Sequence, residues 1–326
     1  MKVLYLPLNT PQTIQTGMYD AFNDIGVDLH IFDFYQKSIT GTSATIIREE
    51  FINMVDNLQP NLVHMQLQFT NEINSETIIA AKRKSPKTIF TNWTGDIRTN
   101  VPGEFIDISR VVDYSLISSV GQIDMYLQAG CKNVKYWQIG YNPKLYFPKY
   151  NNNFKYDIVF AGTHYGDQFP GSEIRLGAIR ALQNAFGDKF CLYGSGFPTD
   201  VKTNGYILQS EINNVYADSM CVLSINNFND TDYYFSDRLL MCLASGRPTI
   251  SYRFPGCEKY FTHQNDLIIA QNIDEIVEAV NNFKKNNEMA NKIGMNGYRI
   301  VVAEHSYTSR ALELLQIISD GGNFTS

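Results

Sequence analysis

Residues 233–249 read YYFSDRLLMCLASGRPT. The stretch predicts a polar entry, a short buried helix over about 238–245, a glycine stop and then a strand. Ser236 and Asp237 are good helix N-caps, and Gly246 suits the left-handed residue that ends a helix. Leu239, Leu240, Cys242 and Leu243 leave almost no solvated face. The N-terminus of such a helix carries unpaired N–H groups and the positive end of the dipole, and these suit an anion such as a diphosphate. Arg238 stands at the wrong end of the helix for that dipole. Either it pairs with Asp237 at the surface of a plain capped core helix, or it waits for a phosphate.

The same alternation extends outward from this stretch. Before it, strand patterns at 156–161, 189–193 and 220–225 alternate with helical spacing at 172–186 and 209–217. After it come strands at 249–252 and 267–270 and helices at 273–283, 288–302 and 311–318. The first half repeats the scheme. Strands at 2–6, 27–34, 62–67, 88–92, 111–118 and 134–137 alternate with helices at 17–24, 44–58, 75–84 and 121–129. Residues 142–148 and the asparagine run 151–153 read as a linker, and the tail from 320 reads as frayed. The expected class is α/β: two Rossmann-like, doubly wound domains with parallel sheets, their strand carboxyl ends facing a shared cleft.

The totals agree. A chain of 326 residues is too long for one ordinary core. Hydrophobic residues at 44% and charged residues at 18% are those of a globular protein. The net charge of −6, without a basic block, disfavours broad attraction to nucleic acid. No apolar run is long enough to span a bilayer, and the N-terminus lacks a signal-peptide core. The five cysteines are scattered without metal-ligand spacing and read as reduced thiols of a cytoplasmic protein.

Ligands of doubly wound sheets bind beyond the strand carboxyl ends, which selects the loops to inspect. In the second half, Gly162 allows close backbone approach and Thr163 offers a hydroxyl to a phosphate oxygen. Tyr193, Gly194 and Ser195, with Phe197, form a flexible turn flanked by aromatics; it suits stacking on a base, or is simply a tight turn in the core. No GxGxxG follows a strand, so hydride chemistry loses support. In the first half, His64 sits on one strand face with Gln66 and Gln68, either as a satisfied core histidine or as a catalytic one. Asp96 and Arg98 follow a strand in NWTGDIR. They form either a structural pair or a carboxylate and a guanidinium that address an acceptor hydroxyl.

FAGT at 160–163, YGSG at 193–196, SDRLLMCLASGRPTI at 236–250, PGCEKYF at 255–261 and HSYTSR at 305–310 together resemble the C-terminal domain of GT-B glycosyltransferases, in particular the CgeB-like, group 1 relatives. PNLVHMQLQF and NWTGDIR resemble the acceptor-side half of that group. The resemblance implies domains at 1–148 and 154–305, with a helix at 307–319 crossing back to the first. It implies transfer of a sugar from a nucleotide diphosphate sugar, UDP-sugar favoured, with retention of configuration and without a metal or other cofactor. Gly162, Thr163, Ser236 and Arg238 would hold the diphosphate, Tyr193–Phe197 the base, and Asp237 would complete the donor site. Asp96, Arg98 and His64 would address an acceptor: a glycan, a protein, a small molecule or modified DNA, the charge weighing against the last. Many retaining relatives hold the donor ribose with a glutamate where this chain has Met241, so Asp237 would have to take that place. The alternative is a non-catalytic GT-B module that binds nucleotide or glycan.

Overall fold

A computed structural model describes residues 1–10, 16–68, 71–149, 151 and 153–321. Two compact units result: Met1–Ile139 with Tyr307–Ser326, and Gly140–Ser306. Residues 140–148, given to the first domain from the sequence, therefore pack with the second unit. The Thr-, Gln- and Pro-rich loop after the first strand and the tail lie partly outside the described residues.

The first unit runs β1 (Lys2–Leu6), α1 (Thr16–Asp24), β2 (Asp28–Ile31), α2 (Phe34–Ile39), α3 (Ala44–Leu58), β3 (Leu62–Met65), α4 (Ser75–Lys84), β4 (Ile89–Thr94), α5 (Gly103–Val111), β5 (Tyr114–Ile117), α6 (Ile123–Gln128) and β6 (Val134–Tyr136). Its six strands are parallel in the order β2-β1-β3-β4-β5-β6. The second unit runs β7 (Tyr156–Ala161), α7 (Ser172–Phe186), β8 (Phe190–Tyr193), α8 (Gln209–Ala217), β9 (Ser219–Ser224), α9 (Asp237–Ala244), β10 (Thr249–Tyr252), β11 (Ile268–Ala270), α10 (Ile273–Lys285) and α11 (Asn287–Glu304). Its five strands are parallel in the order β11-β10-β9-β7-β8. The last helix, α12 (Tyr307–Gly321), belongs to the first unit. There Ala311, Leu314 and Ile318 are buried with Tyr5, Met18, Phe22 and Trp137. Gly17 makes this docking possible, because a Cβ there would run into the Tyr307 ring.

Both sheets put their first strand inside and reverse direction beside it, between β1 and β3 and between β7 and β9. The two-sheet, doubly wound α/β class expected from the sequence is thus what the chain adopts. The differences are local. The strand expected to run to Phe34 stops at Ile31, because Asp33 caps a short helix by accepting from the Gln36 N–H at 3.0 Å. A helix not expected at all, α5, starts after Pro102 and buries Phe105, Ile106 and Ile108. The last helix starts at Tyr307, where the resemblance put it, rather than at 311, where the apolar spacing put it.

His64 lies in the middle of the first sheet, paired in register with Tyr5 and Thr91. It is fully buried, stacked on Tyr5 at 5.6 Å between centroids and edge-on to Phe22 and Trp137. Its Nδ1 is 2.9 Å from Thr91 Oγ1. Burial pushes the imidazole down to about 3, so it stays neutral where an ordinary histidine begins to charge. An unfolded His64 takes up its proton near pH 6.5 and the folded one near 3. Its contribution to stability is therefore complete above pH 6.5 and is lost as pH falls towards 3. We predict a loss of about 2 kcal/mol from this group between pH 7 and pH 5. Urea unfolding of the wild type and of His64→Phe at both pH values measures it; the wild type should lose more stability on acidification than the variant.

Candidate functional site

The carboxyl ends of β7 and β9 lie side by side where the second sheet changes direction, and two guanidinium groups meet there. Arg238 reaches back from the first turn of α9. Its Nε donates to the Ala161 carbonyl at 2.7 Å and its Nη1 to the Ile225 carbonyl at 3.1 Å. Arg175 comes from α7. Its Nη1 donates to the Thr163 carbonyl at 2.9 Å and its Nη2 to the same Ile225 carbonyl at 2.7 Å. Both lie against the Phe160 ring, 5.0 Å from its centroid for Arg238 and 5.7 Å for Arg175.

Carbonyl oxygens orient these cations but carry no compensating charge. Among the described residues no carboxylate lies within 4.0 Å of either one. Arg175 is only 1% exposed and its Nε is buried without a partner. Burial, and then repulsion by Arg238, bring its guanidinium down to about 9. A buried arginine without an acid is costly, and an anion placed against the pair would relieve both the desolvation and the repulsion. The sequence reading named Arg238 and missed Arg175. A signal existed: residues 175, 178, 179 and 182 form the buried face of α7, and an arginine on an apolar helical face needs a reason.

The adjoining loops are built against one another. The Gly162 N–H donates to Tyr193 O and the His164 N–H to Ser195 O, both at 2.9 Å, which continues the β7–β8 pairing past the strand ends. A Cβ at Gly162 would lie 2.7 Å from Arg238 Nη2. Gly194 has φ +138° and its Cβ would run into the Gly162 carbonyl. His164 stacks on Phe197 with centroids 5.6 Å apart. Gly162, Thr163, Tyr193 and Gly194 are half-buried and Ser195 is exposed. So Gly162, Thr163, Tyr193, Gly194, Ser195 and Arg238 do come together at one end of one sheet.

The entry to α9 differs in detail from expectation. Ser236 stands at the N-cap position without a side-chain capping bond. Its N–H and hydroxyl instead donate to Asn226 Oδ1 at 3.1 and 3.3 Å. Asn226 is 1% exposed, and a buried amide oxygen claims whatever donors it can reach. Asp237 Oδ1 accepts from the Arg238 N–H at 2.8 Å. Asp237 is half-buried, whereas Met241, one turn along, is 9% exposed.

In the first unit, Asp96 is exposed and Arg98 half-buried on the loop after β4. The Arg98 guanidinium bonds Gln68 Oε1 at 2.7 Å and the Asp96 main-chain oxygen at 3.5 Å. His64 does not join them; its ring is sealed in the core described above. Among the described residues no three His, Cys, Asp or Glu side chains converge as metal ligands, and no helix is long and apolar enough to cross a membrane.

Two parallel doubly wound units are the architecture of GT-B glycosyltransferases, and known structures share the fold. HepE from Anabaena, determined with UDP-glucose, is 10% identical over 98% of this chain and all of its own, at a TM-score of 0.62. Sucrose-phosphate synthase from Thermosynechococcus elongatus is 13% identical over 98% of both chains, at 0.64. A T4 phage BGT mutant, also determined with UDP-glucose, is 11% identical over 99% of this chain and all of its own, at 0.60. No curated protein sequence matches significantly. The family model described as glycosyl transferase-like matches residues 175–316, from Arg175 itself into α12. The chain thus has the GT-B fold, and its second unit with the start of the last helix matches a glycosyl transferase-like model.

The loop packing makes its own prediction. Gly194 and Gly205 both have positive φ, at +138° and +77°, but only Gly194 faces an obstacle within 4 Å. Gly205→Ala should cost about 1–2 kcal/mol, the ordinary penalty of a left-handed alanine. Gly194→Ala should cost clearly more, because strain and a backbone clash add. Paired urea titrations read the difference; equal costs would disprove the packing.

Proposed function

We propose that this chain moves a sugar from a nucleotide diphosphate sugar, UDP-sugar before others, to an acceptor hydroxyl. The observation that carries this reading is the pair Arg175 and Arg238, two cations fixed on one carbonyl oxygen with, among the described residues, no carboxylate within 4.0 Å of either guanidinium. UDP in the crystal structures of HepE supports uridine as the base.

In the transfer, the bond between the anomeric carbon and the β-phosphate oxygen breaks, and a bond to the acceptor oxygen forms. Negative charge grows on the departing diphosphate. Arg238, partly exposed, meets that charge directly; Arg175 behind it raises the local potential. Fixed donors of this kind act in place of a divalent cation, so the reaction needs no metal. The loop pair at 162–164 and 193–197 takes the nucleoside. Asp96 receives or orients the acceptor hydroxyl proton, and Arg98 stands beside it. Retention of configuration follows the resemblance to retaining relatives. His64 has no part in this assignment.

A donor-binding module without turnover is the second reading. Met241 favours it, since a buried thioether offers a ribose hydroxyl no acceptor of the strength of a carboxylate. Slow hydrolysis of UDP-glucose separates the two, because only an enzyme releases free sugar.

Isothermal titration with uridine, UMP and UDP tests the site. In the wild type UDP should bind at least about tenfold more tightly than UMP, the second phosphate adding a charge-assisted contact. In Arg238→Ala that gap should close while uridine binding changes little. Asp96→Ala should keep UDP affinity and lose transfer by about 100-fold or more. A wild type that does not distinguish UDP from UMP would overturn the reading.

A further inference from the structure

Arg98 is a third cation held in place with, among the described residues, no carboxylate within 4.0 Å. Its guanidinium lies over the Phe105 ring, 4.3 Å from the centroid, and Phe105 is 4% exposed. Its Nη2 donates at 2.7 Å to Gln68 Oε1, and Gln68 is 7% exposed. Its own carbonyl accepts from Gln122 Nε2, which fixes the main chain. A side chain pinned by an aromatic face and a buried amide has lost most of its rotamer freedom before any ligand arrives. Yet only Nη1 and Nη2 make hydrogen bonds, and the bond from Nη1 is long, at 3.5 Å. Among the described residues no carboxylate lies within 4.0 Å of the guanidinium. Two titratable groups are near it: Asp96, whose main-chain oxygen it bonds, and Tyr126, a phenol that burial pushes up to about 12 even with Arg98 opposing.

The position carries the meaning. Gln68 follows β3 and Arg98 follows β4, at the carboxyl ends of neighbouring strands in the first sheet. We propose that Arg98 reads an anionic group on the acceptor, so that the acceptor is a small molecule bearing a phosphate monoester or a carboxylate near the hydroxyl that receives the sugar. This inference rests on the glycosyltransferase reading for the word acceptor; the anion site itself does not. A guanidinium edge matches either group with paired, parallel hydrogen bonds, and the stacked, partly desolvated setting strengthens them. The aromatic and amide supports are what a mere loop staple would not need, since the 3.5 Å contact to Asp96 O holds the loop poorly.

The test watches Arg98 directly. The Nε–Hε resonance of Arg98 is assigned in the full-length protein by its loss in Arg98→Gln. With UDP at saturation, so that the second unit's cations are occupied, it is titrated with inorganic phosphate, glucose 6-phosphate, glucuronate and glucose at constant ionic strength. Glucose 6-phosphate, glucuronate or both should shift the resonance saturably, at least about fivefold more tightly than inorganic phosphate, and glucose should leave it in place. Which of the two acts names the anion. In a coupled assay the responsive compound should also be the better acceptor than glucose, and Arg98→Gln should remove that preference. If no compound shifts the resonance, or if inorganic phosphate binds as well as the sugar anions, Arg98 holds at best an adventitious ion and the proposal fails. Should UDP itself not bind, the glycosyltransferase reading falls, while the Arg98 resonance still reports on its own site.

Discussion

One carbonyl oxygen, that of Ile225, receives two guanidinium groups, and the arrangement of the second unit follows from that constraint. The two nitrogen atoms sit 2.7 and 3.1 Å from the same oxygen, so the facing edges of the two cations are at most about 6 Å apart. At an effective dielectric constant of about 20, such a pair repels by roughly 3 kcal/mol. Hydrogen bonds to main-chain oxygens offset part of this and stacking on Phe160 another part. Neither removes the net charge. The folded chain therefore holds a positive potential at a strand end, which an anion from outside would neutralise.

Fold topology determines where that potential appears. The carbonyls of Ala161 and Ile225 emerge side by side because β7 and β9 are neighbours while β8 lies on the other flank. Only at that reversal do two successive loops diverge and leave space above the sheet. Gly162 leaves room for Arg238, and Gly194 and Gly196 let the next loop close upon the first. Asn226 ties the entry of α9 to the end of β9 through Ser236. A chain of local rules thus fixes one guanidinium to within hydrogen-bond tolerance, which is the preorganisation that electrostatic catalysis requires.

The alternation of strands and helices was legible because hydrophobic period and glycine or proline stops agree along most of the chain. Nearly every strand of both sheets was placed to within a few residues. The misses have physical causes. Phe34 continues an apolar run past β2, and only the Asp33 cap turns it into helix. The α5 segment has four apolar residues in nine and no side-chain cap, so its helicity depends on packing. The site was half legible. Loop glycines and Arg238 announce themselves by local chemistry. Arg175 belongs to another element, and its meaning depends on a carbonyl fifty residues away. His64 was misleading for the converse reason: its alternation with Gln66 places it on a sheet face, but whether that face meets solvent or a helix depends on α1 and α12.

Asp237 gains significance from Met241. They stand four residues apart, on one face of α9, and only the first is accessible. A carboxylate in the first helical turn is favoured by the dipole, and one oxygen is already held by the Arg238 N–H. The other oxygen keeps an acceptor lone pair next to the cation that meets the diphosphate. Under the proposed reading, ribose recognition has therefore moved to the N-terminal turn of the helix. There a single residue can hold a first-turn N–H and serve as sugar ligand, and the position one turn deeper is released to fill the core.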